Sequence, residues 1–314
     1  MKQVVIDKPL SVQIQEVPLP RIGPGEVLVK TIFSGVSVGT EKAFYRGYWG
    51  TPINPGYEAV GAIVACGKKV SGLSCGDKVI CLGNHAEYVK MKAPDVARIP
   101  PGLGLEEATF VILGTTAAHA AERSCLKEGG SVAVVGLGVL GQMLLQYLRV
   151  ERHAHTIGID ISPEKCRTAQ MLGADLVINP TTQKGKAQIA KLAKKGVDVA
   201  VEVAGGVQQA VDTAMQIVRE KGRVLVMGGG TATGGIVHFP YRDHFFTKEL
   251  DIAASRAWGE HGSRNFRKTL RYLAQRKLSC QGIRITKVKY TEIGRLYDEL
   301  REGKKNYFHV ILEW

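Results

Sequence analysis

The chain has 314 residues, of which 45% are hydrophobic and 23% charged, a size and composition typical of a soluble globular protein with two domains. Its formal net charge of +13 suits an anionic partner, but no nucleic-acid-binding motif accompanies it, so we expect no nucleic-acid partner. The start, MKQVVIDKPL, lacks the apolar run of a signal peptide, and the most apolar stretch, residues 132–148, contains three glycines; we therefore expect a cytoplasmic protein without a membrane span.

Residues 1 to about 110 contain short runs in which polar and apolar residues alternate, among them SVQIQEV, EVLVKTIF and DKVICLG. Turn residues separate these runs at intervals of roughly ten residues. The pattern predicts a β-rich domain of short strands. It becomes helical near LGLEEATFVILGTTAAHAAERS, where apolar residues recur every three or four positions.

From residue 130 onward, strand-like and helix-like segments alternate. SVAVVG, HTIGID, LVIN, VDVAVEVAG and RVLVMGG are the strand-like segments, and SPEKCRTAQMLG and VQQAVDTAMQIVREKG are among the helical ones. Apolar strands that alternate with helices indicate a parallel sheet covered on both faces, so the predicted fold class is α/β with a doubly wound sheet. Residues 265–278 predict a further helix, and the tail has both strand and helix character.

The segment VAVVGLGVLGQ places Gly136, Gly138 and Gly141 in a G-x-G-x-x-G array directly after a strand and at the head of a helix. The first glycine permits a tight turn, the second lets a pyrophosphate approach the backbone, and the third lets the helix pack on the strand. Val139 and Leu140 begin the helix, whose free N–H groups and positive dipole favour phosphates. The array therefore predicts a dinucleotide site.

The next strand, HTIGID, ends in Asp160, nineteen residues after Gly141, and Ile161 follows it. A carboxylate in this position accepts hydrogen bonds from the ribose of adenosine. A 2′-phosphate there would meet a like charge, so we expect NAD(H) as the cofactor and disfavoured NADP(H).

These motifs together resemble the medium-chain dehydrogenase/reductase superfamily. PGEVLVK, PGYEAVGAIVACG, GTTAAHAA, VVGLGVLG and DVAVEVAGG stand in the family's order over essentially the whole chain. The resemblance implies a GroES-like β domain made by residues 1–115 and 279–314, a Rossmann domain of residues 116–278, and an active cleft between them. It also implies a homodimer or homotetramer. SGVSVGTE, PGYE, TAAHA and VILEW are similar to segments of the dehydrogenases that oxidise the hydroxyethyl group of bacteriochlorophyllide and of their sugar-pathway relatives.

Zinc enzymes of this superfamily carry cysteine and histidine at positions where this chain has Ser37 (or Val38), Tyr57 and Leu113. The four-cysteine structural lobe is also missing, and the six scattered cysteines include no C-x-x-C pair. Glu58 remains as a possible ligand, but one carboxylate does not hold a catalytic zinc. We therefore expect no metal site, and thiols that are small, mostly buried groups.

Without zinc, a side chain or a water relay must handle the proton of the substrate hydroxyl. The catalytic candidates match the lost metal site: Ser37, Thr40, Tyr57 and Glu58. Tyr57 is placed to hydrogen-bond the substrate oxygen, and a buried Glu58 to relay a proton with a raised pKa. The alternatives are that Tyr57 only fills the space of the metal and that Glu58 is a salt-bridged strand residue. His119 is read as a satisfied helix histidine.

The resemblance also implies cofactor contacts outside the glycine array. Thr116 is expected near the nicotinamide and Lys165 beside the adenosine ribose. His309 stands where zinc alcohol dehydrogenases have a pyrophosphate-binding arginine. The strand ends that line the nicotinamide ribose supply Ala204, Gly205, Gly228 and Gly229.

Lysine and arginine are concentrated between residues 252 and 289, where ten of them accompany one acid, Glu260. Such a face is compatible with an anionic small molecule or with solvent alone. If it captures substrate, charge reversal at Arg264 and Arg267 would raise KM.

The sequence predicts an oxidoreductase that interconverts a secondary alcohol and a ketone on a polar, anionic or polyhydroxylated small molecule, with NAD(H) and without zinc. Two alternatives stay open: an enoyl or quinone reductase that uses NADPH, and a nucleotide-binding protein that has lost catalysis. Turnover of carbonyl compounds or of simple enones would distinguish the three.

Overall fold

A computed structural model describes residues 1–227, 236–256, 258, 262–303 and 305–314. The chain divides into two compact units. The first comprises Met1–Ile112 and Arg284–Trp314, and the second comprises Leu113–Ile283. In the described part of the chain, no helix is long and apolar enough to cross a membrane.

The first part of the chain is rich in strands, as its alternating runs predict. Val27 and Val29 point into a buried cluster with Ile63 and Val79, while Lys30 on the same strand is exposed. The elements are β1 Lys2–Lys8, β2 Ser11–Glu16, β3 Glu26–Val36, α1 Val38–Tyr45, β4 Ala59–Cys66, β5 Lys78–Cys81, β6 Tyr88–Lys92, β7 Val96–Arg98 and α2 Leu105–Ala108.

The second part alternates helices and strands, and its six described strands form one parallel sheet. The elements are α3 Val111–Arg123, β8 Ser131–Val135, α4 Val139–Arg152, β9 His155–Ile159, α5 Pro163–Met171, β10 Leu176–Ile178, α6 Gln183–Lys195, β11 Val197–Glu202, α7 Gln208–Ile217, β12 Val218–Val226, β13 Asp251–Ala254 and α8 Gly262–Ala274. The strand order is β10-β9-β8-β11-β12-β13, which confirms the predicted α/β class.

The tail completes the sheet of the first unit. It consists of β14 Ile285–Lys289, α9 Ile293–Glu302 and β15 His309–Glu313. Strand β15 pairs antiparallel with β3, so that the order is β14-β15-β3-β4-β5-β7, and β6 also pairs with β3. Helix α9 buries Leu296 and Tyr297 against Val310 and Leu312 of β15.

One predicted helix ends earlier than its sequence suggests. The segment VQQAVDTAMQIVREKG has helical periodicity, yet α7 ends at Ile217 and β12 begins at Val218. The ammonium group of Lys248 donates to the carbonyl oxygens of Met215, Gln216 and Val218. These carbonyls lack helical partners, so a lysine that lies far along the chain caps the helix.

The six cysteines are free thiols. Cys81 and Cys280 are buried, but Cys75 and Cys125 are exposed, so the expectation of small buried groups is wrong for the latter two. Both exposed thiols lie in turns outside the regular elements.

Candidate functional site

The glycine array forms an open turn between β8 and α4. Gly136 has a φ of +108°, and a Cβ there would lie 2.9 Å from the amide nitrogen of Ala204. A Cβ on Gly141 would lie 2.0 Å from the carbonyl oxygen of Gly136. A Cβ on Gly138, in contrast, would meet no described atom within 4 Å. Two glycines are therefore required by the protein itself, and the middle one leaves its backbone open.

Helix α4 begins at this turn, and none of the described side chains caps it. The N–H of Gln142 bonds to the carbonyl of Gly138, which leaves the N–H groups of Val139, Leu140 and Gly141 ahead of the helical hydrogen-bond ladder. The Gln142 side chain holds the turn by donating to the carbonyl of Leu137 at 3.1 Å. The start of α4 thus combines a positive dipole with donors that an anion can use.

Asp160 is held against the glycine turn by both of its carboxylate oxygens. The amide of Leu137 donates to Oδ2 at 2.7 Å, and the amide of Ser162 donates to Oδ1 at 2.8 Å. The carboxylate therefore has a fixed orientation beside Gly136 and Gly138. The neighbouring Ile161 is 68% exposed, so an apolar side chain flanks this position.

The remaining predicted cofactor residues of the second unit lie in different settings. Lys165 is half-buried in the first turn of α5, where its amide donates to Ser162 Oγ. Ala204 and Gly205 lie in the loop after β11, and the buried carboxylate of Glu202 accepts from the Ala204 amide at 2.7 Å. Thr116 is buried in α3. Gly228 and Gly229 lie outside the described residues.

His309 has no cationic role in this structure. The imidazole is 1% exposed, and its Nε2 lies 2.8 Å from Thr109 Oγ1. Its ring packs on Phe110 with 4.1 Å between the ring centroids. Burial lowers the pKa of His309 to about 3, so the ring is neutral at ordinary pH and offers no positive charge to a pyrophosphate. We leave it out of the proposed cofactor contacts.

Three of the four catalytic candidates form a chain of hydroxyl groups in the first unit. Ser37 Oγ lies 3.1 Å from Thr40 Oγ1, and the Ser37 hydroxyl lies close enough to Tyr57 to lower its pKa in part. All three side chains are half-buried. Burial, followed by the nearby Glu58 and Glu41 carboxyl groups, raises the pKa of Tyr57 well above 10, and the Ser37 hydrogen bond only partly opposes this. Tyr57 is therefore a neutral phenol that can donate a proton.

Glu58 differs from these three residues because it is completely buried. Neither carboxyl oxygen meets a partner at hydrogen-bonding geometry, although the amides of Ile112 and Gly35 lie close enough to oppose the shift in part. Burial raises the pKa of Glu58 well above its ordinary value and so favours the protonated carboxyl group. No lysine, arginine or histidine among the described residues forms an ion pair with Glu58, which argues against the alternative of a salt-bridged residue. No hydrogen bond among the described residues joins it to Tyr57.

Two buried residues that the sequence-based reasoning did not select, Glu41 and His85, lie next to the hydroxyl chain. The Glu41 carboxylate bonds to the amide of Ser37 at 2.9 Å and to His85 Nε2 at 3.0 Å. Glu41 stands in the segment SGVSVGTE, which drew attention for its resemblance and not for this acid. A carboxylate in the first turn of a helix was the available signal.

The residues at the family's zinc positions do not fit that metal. Ser37 and Tyr57 supply hydroxyl groups, Leu113 supplies no ligand atom, and Glu58 supplies a single carboxyl group. Zinc sites in proteins use thiolate, imidazole or ionised carboxylate ligands. Among the described residues, no three histidine, cysteine, aspartate or glutamate side chains converge on a point that suits a metal ion.

The basic segment near the end of the second unit is partly neutralised. Arg264 lies 2.7 Å from Glu122, and Lys268 lies 3.7 Å from Glu122 and 2.9 Å from Glu151. The sequence count of ten basic residues against one acid therefore overstates the local charge, because helices from elsewhere in the chain supply carboxylates. Arg264 is thus a poor candidate for substrate capture.

Comparison with known proteins identifies similar sequences and folds. The profile of the zinc-binding dehydrogenase family matches residues 139–275, and that of the alcohol dehydrogenase GroES-like domain matches residues 23–151. An alcohol dehydrogenase of Geobacillus stearothermophilus is 32% identical over 73% of this chain and 77% of its own length. A sorbitol dehydrogenase of Bacillus subtilis (strain 168) is 28% identical over 73% of this chain and 75% of its own.

Solved structures show the same fold at lower identity. A short chain alcohol dehydrogenase from Escherichia coli CFT073, solved with NADH, has a TM-score of 0.83 at 22% identity and covers 100% of this chain and 99% of its own. Galactitol-1-phosphate dehydrogenase from Escherichia coli has a TM-score of 0.79 at 24% identity and covers 100% of both chains.

Proposed function

Because the chain belongs to the medium-chain dehydrogenase/reductase superfamily, we propose that it is an NAD(H)-dependent oxidoreductase that interconverts a secondary alcohol and a ketone without zinc. The observation that carries the proposal is the open glycine turn with a fixed carboxylate beside it. Gly138 leaves room for a pyrophosphate, and Asp160 is oriented by two backbone amides. The relatives named alcohol and sorbitol dehydrogenases support a hydroxylated polar substrate.

The nicotinamide, when bound, exchanges a hydride with the carbon of the substrate. The protein's part is to bind and orient it through the backbone around Gly138, the N–H groups at the start of α4, and the Asp160 carboxylate. Backbone amides suit phosphate oxygens, and the carboxylate suits the two ribose hydroxyl groups.

The proton is handled by the hydroxyl chain in the first unit. In the reductive direction, the neutral Tyr57 phenol donates its proton to the oxygen that gains negative charge, and Ser37 and Thr40 offer a path for its replacement. In the oxidative direction the same chain runs in reverse. Since the pKa of Tyr57 is raised, its ionisation does not limit reduction below about pH 10, the pKa of an ordinary tyrosine.

A substrate panel tests this function. The purified protein is incubated with NADH and, separately, with phosphorylated and free ketoses, cyclitol ketones, oxo acids and simple enones, while the nicotinamide absorbance is followed. We expect turnover of at least one ketone, and of the matching alcohol with NAD. Turnover of enones without ketones would instead support a reductase of carbon–carbon double bonds, and turnover of nothing with no nucleotide binding would refute the proposal.

We expect the purified protein to contain far less than one zinc per chain, because two hydroxyl groups, an aliphatic side chain and one carboxyl group make a poor ligand set at the family's positions. Elemental analysis before and after treatment with a chelator checks this. Activity should be unchanged by the treatment. One zinc per chain that resists chelation, with activity proportional to zinc content, would contradict the proposal.

Gly138→Val should weaken nucleotide binding without unfolding the protein, since a Cβ at this position meets no described atom within 4 Å. A hydrogen bond to a charged group contributes about 1.5–3 kcal/mol, so losing one raises Kd roughly 10- to 100-fold. Titration with NADH fluorescence and thermal melting measure the two effects.

Two glycine variants serve as controls for Gly138→Val. Gly141→Ala should instead lower Tm, because its Cβ would lie 2.0 Å from the Gly136 oxygen. Gly25→Val, another glycine with open space around its Cβ, should change neither quantity. An unchanged Kd for Gly138→Val would show that the turn does not hold the pyrophosphate.

A further inference from the structure

A buried carboxylate lies directly behind the proposed proton-handling residues. Glu41, in the first turn of α1, is 0% exposed and accepts three hydrogen bonds. Its Oε1 accepts from the Ser37 amide at 2.9 Å. Its Oε2 accepts from the Tyr297 hydroxyl at 2.8 Å and from His85 Nε2 at 3.0 Å. Three donors and the positive end of α1 compensate for burying this charge.

The donors behind Glu41 have a defined direction. The Trp314 indole can only donate, and its Nε1 lies 2.9 Å from Ser34 Oγ. The Ser34 hydroxyl hydrogen is then free to reach His85 Nδ1, 2.8 Å away. His85 with its hydrogen on Nε2 donates to Glu41, so a neutral imidazole satisfies every group in the chain. Ser34 and His85 are fully buried, so solvent does not compete for these bonds.

This network touches both ends of the Tyr57–Ser37 contact. Glu41 holds the amide of Ser37, whose hydroxyl lies near Tyr57. His85 packs on Gly56, the residue before Tyr57, so closely that a Cβ there would lie 2.5 Å from the His85 amide nitrogen. The φ of Gly56 is +93°, which further restricts this position to glycine.

We infer that Glu41 is a positioning residue that, together with His85, holds Ser37 against Tyr57 and so aligns the hydroxyl chain for proton transfer. The inference rests on the proposed function of Tyr57. The titratable groups near Tyr57 are Glu41 of α1 and Glu58, which directly precedes β4; His85, from the segment before β6, and Tyr297 of α9 bond to Glu41.

The variant Glu41→Gln tests the role because it preserves shape but not acceptor capacity. Its amide oxygen can satisfy His85 and Tyr297 together, which leaves its NH₂ group facing the N–H of Ser37. The glutamine amide has fewer donor–donor contacts in this orientation than in the flipped one, so the only hydrogen bond lost is the one from the Ser37 N–H. We expect kcat to fall about tenfold, as for one lost hydrogen bond of about 1.4 kcal/mol, while KM for NADH stays constant.

A double-mutant cycle with Tyr57→Phe separates positioning from a general structural effect. If Glu41 acts through Tyr57, Glu41→Gln lowers kcat in the native background and by less than about twofold in the Tyr57→Phe background. The ketone used is the one turned over fastest in the substrate panel. Equal losses in both backgrounds overturn the inference. No effect of Tyr57→Phe itself would refute the proposed proton transfer by Tyr57, and with it the role of Glu41.

A measurement that needs no substrate tests separately whether Glu41 holds the Ser37 amide. Amide exchange followed by NMR should show that the Ser37 N–H is protected in the native protein and exchanges faster in Glu41→Gln. Tyr147→Phe is the matched control, since it removes a buried hydrogen bond of 2.6 Å to Thr269 in the second unit. It should leave Ser37 exchange and the kinetic cycle unchanged. If Glu41→Gln does not fold, Tyr297→Phe removes one of the three donors and takes its place in both measurements. Unchanged Ser37 protection in the folded variant overturns the inference.

Discussion

Replacing Tyr57 by phenylalanine should lower kcat about 100- to 10,000-fold, the range that a positioned general acid or base contributes. The structure supports this because the Tyr57 phenol is half-buried, lies near Ser37 and has a pKa that is raised, chiefly by burial. The ring remains in the variant, so cofactor affinity and Tm should change little. Steady-state kinetics with the panel's best ketone, together with melting, measure these effects.

The control for this substitution is Tyr45→Phe, in helix α1 of the same unit. Its hydroxyl makes two partly buried hydrogen bonds, to the carbonyl of Leu10 and to Asp298, each at 3.0 Å. This variant should lower Tm without a specific loss of kcat. Equal losses of kcat for the two variants would mean that Tyr57 only fills the space of the absent ligand set.

The cofactor preference should be large and should depend on Asp160. Its carboxylate cannot rotate away without giving up the amides of Leu137 and Ser162. A 2′-phosphate at hydrogen-bonding distance would meet a like charge, at a cost of about 4 kcal/mol for 4 Å and an effective dielectric near 20, or about 1000-fold in kcat/KM. We therefore expect kcat/KM for NADH to exceed that for NADPH by a factor approaching this value.

Asp160→Ser should reduce the preference for NADH over NADPH to about tenfold, since the repulsion between the Asp160 carboxylate and the 2′-phosphate disappears. The serine hydroxyl replaces only part of the hydrogen bonding that holds the turn. Asp175→Asn provides a matched control in the same unit. Asp175 Oδ2 likewise accepts from a backbone amide, that of Thr156 at 2.7 Å, but the residue lies at the start of β10 and away from the glycine turn. The control should keep the native preference. Equal use of both cofactors by the unmodified protein would contradict the prediction.

The sequence determined the architecture and the glycine turn because both depend on local rules. Alternating apolar runs specify strands, and strands alternating with helices specify the parallel sheet that the structure contains. Gly136, Gly138 and Gly141 were assigned different functions from their spacing alone, and their surroundings differ accordingly. Asp160 was found in the same way, since a residue at the end of a strand has a predictable position relative to the preceding turn.

Only the tertiary structure decided the pKa values and the hydrogen-bond partners of the buried side chains, because these depend on burial and on residues far apart in the chain. The raised pKa of Glu58 results from its complete burial, which no neighbouring residue in the sequence indicates. Burial likewise keeps His309 neutral, although it stands where zinc alcohol dehydrogenases have an arginine. The partners of Glu41, His85 and Tyr297, lie 44 and 256 residues along the chain and meet it only when the sheet and α9 have packed. Local patterns carry no information on such contacts, since desolvation and long-range pairing arise only after the chain has folded.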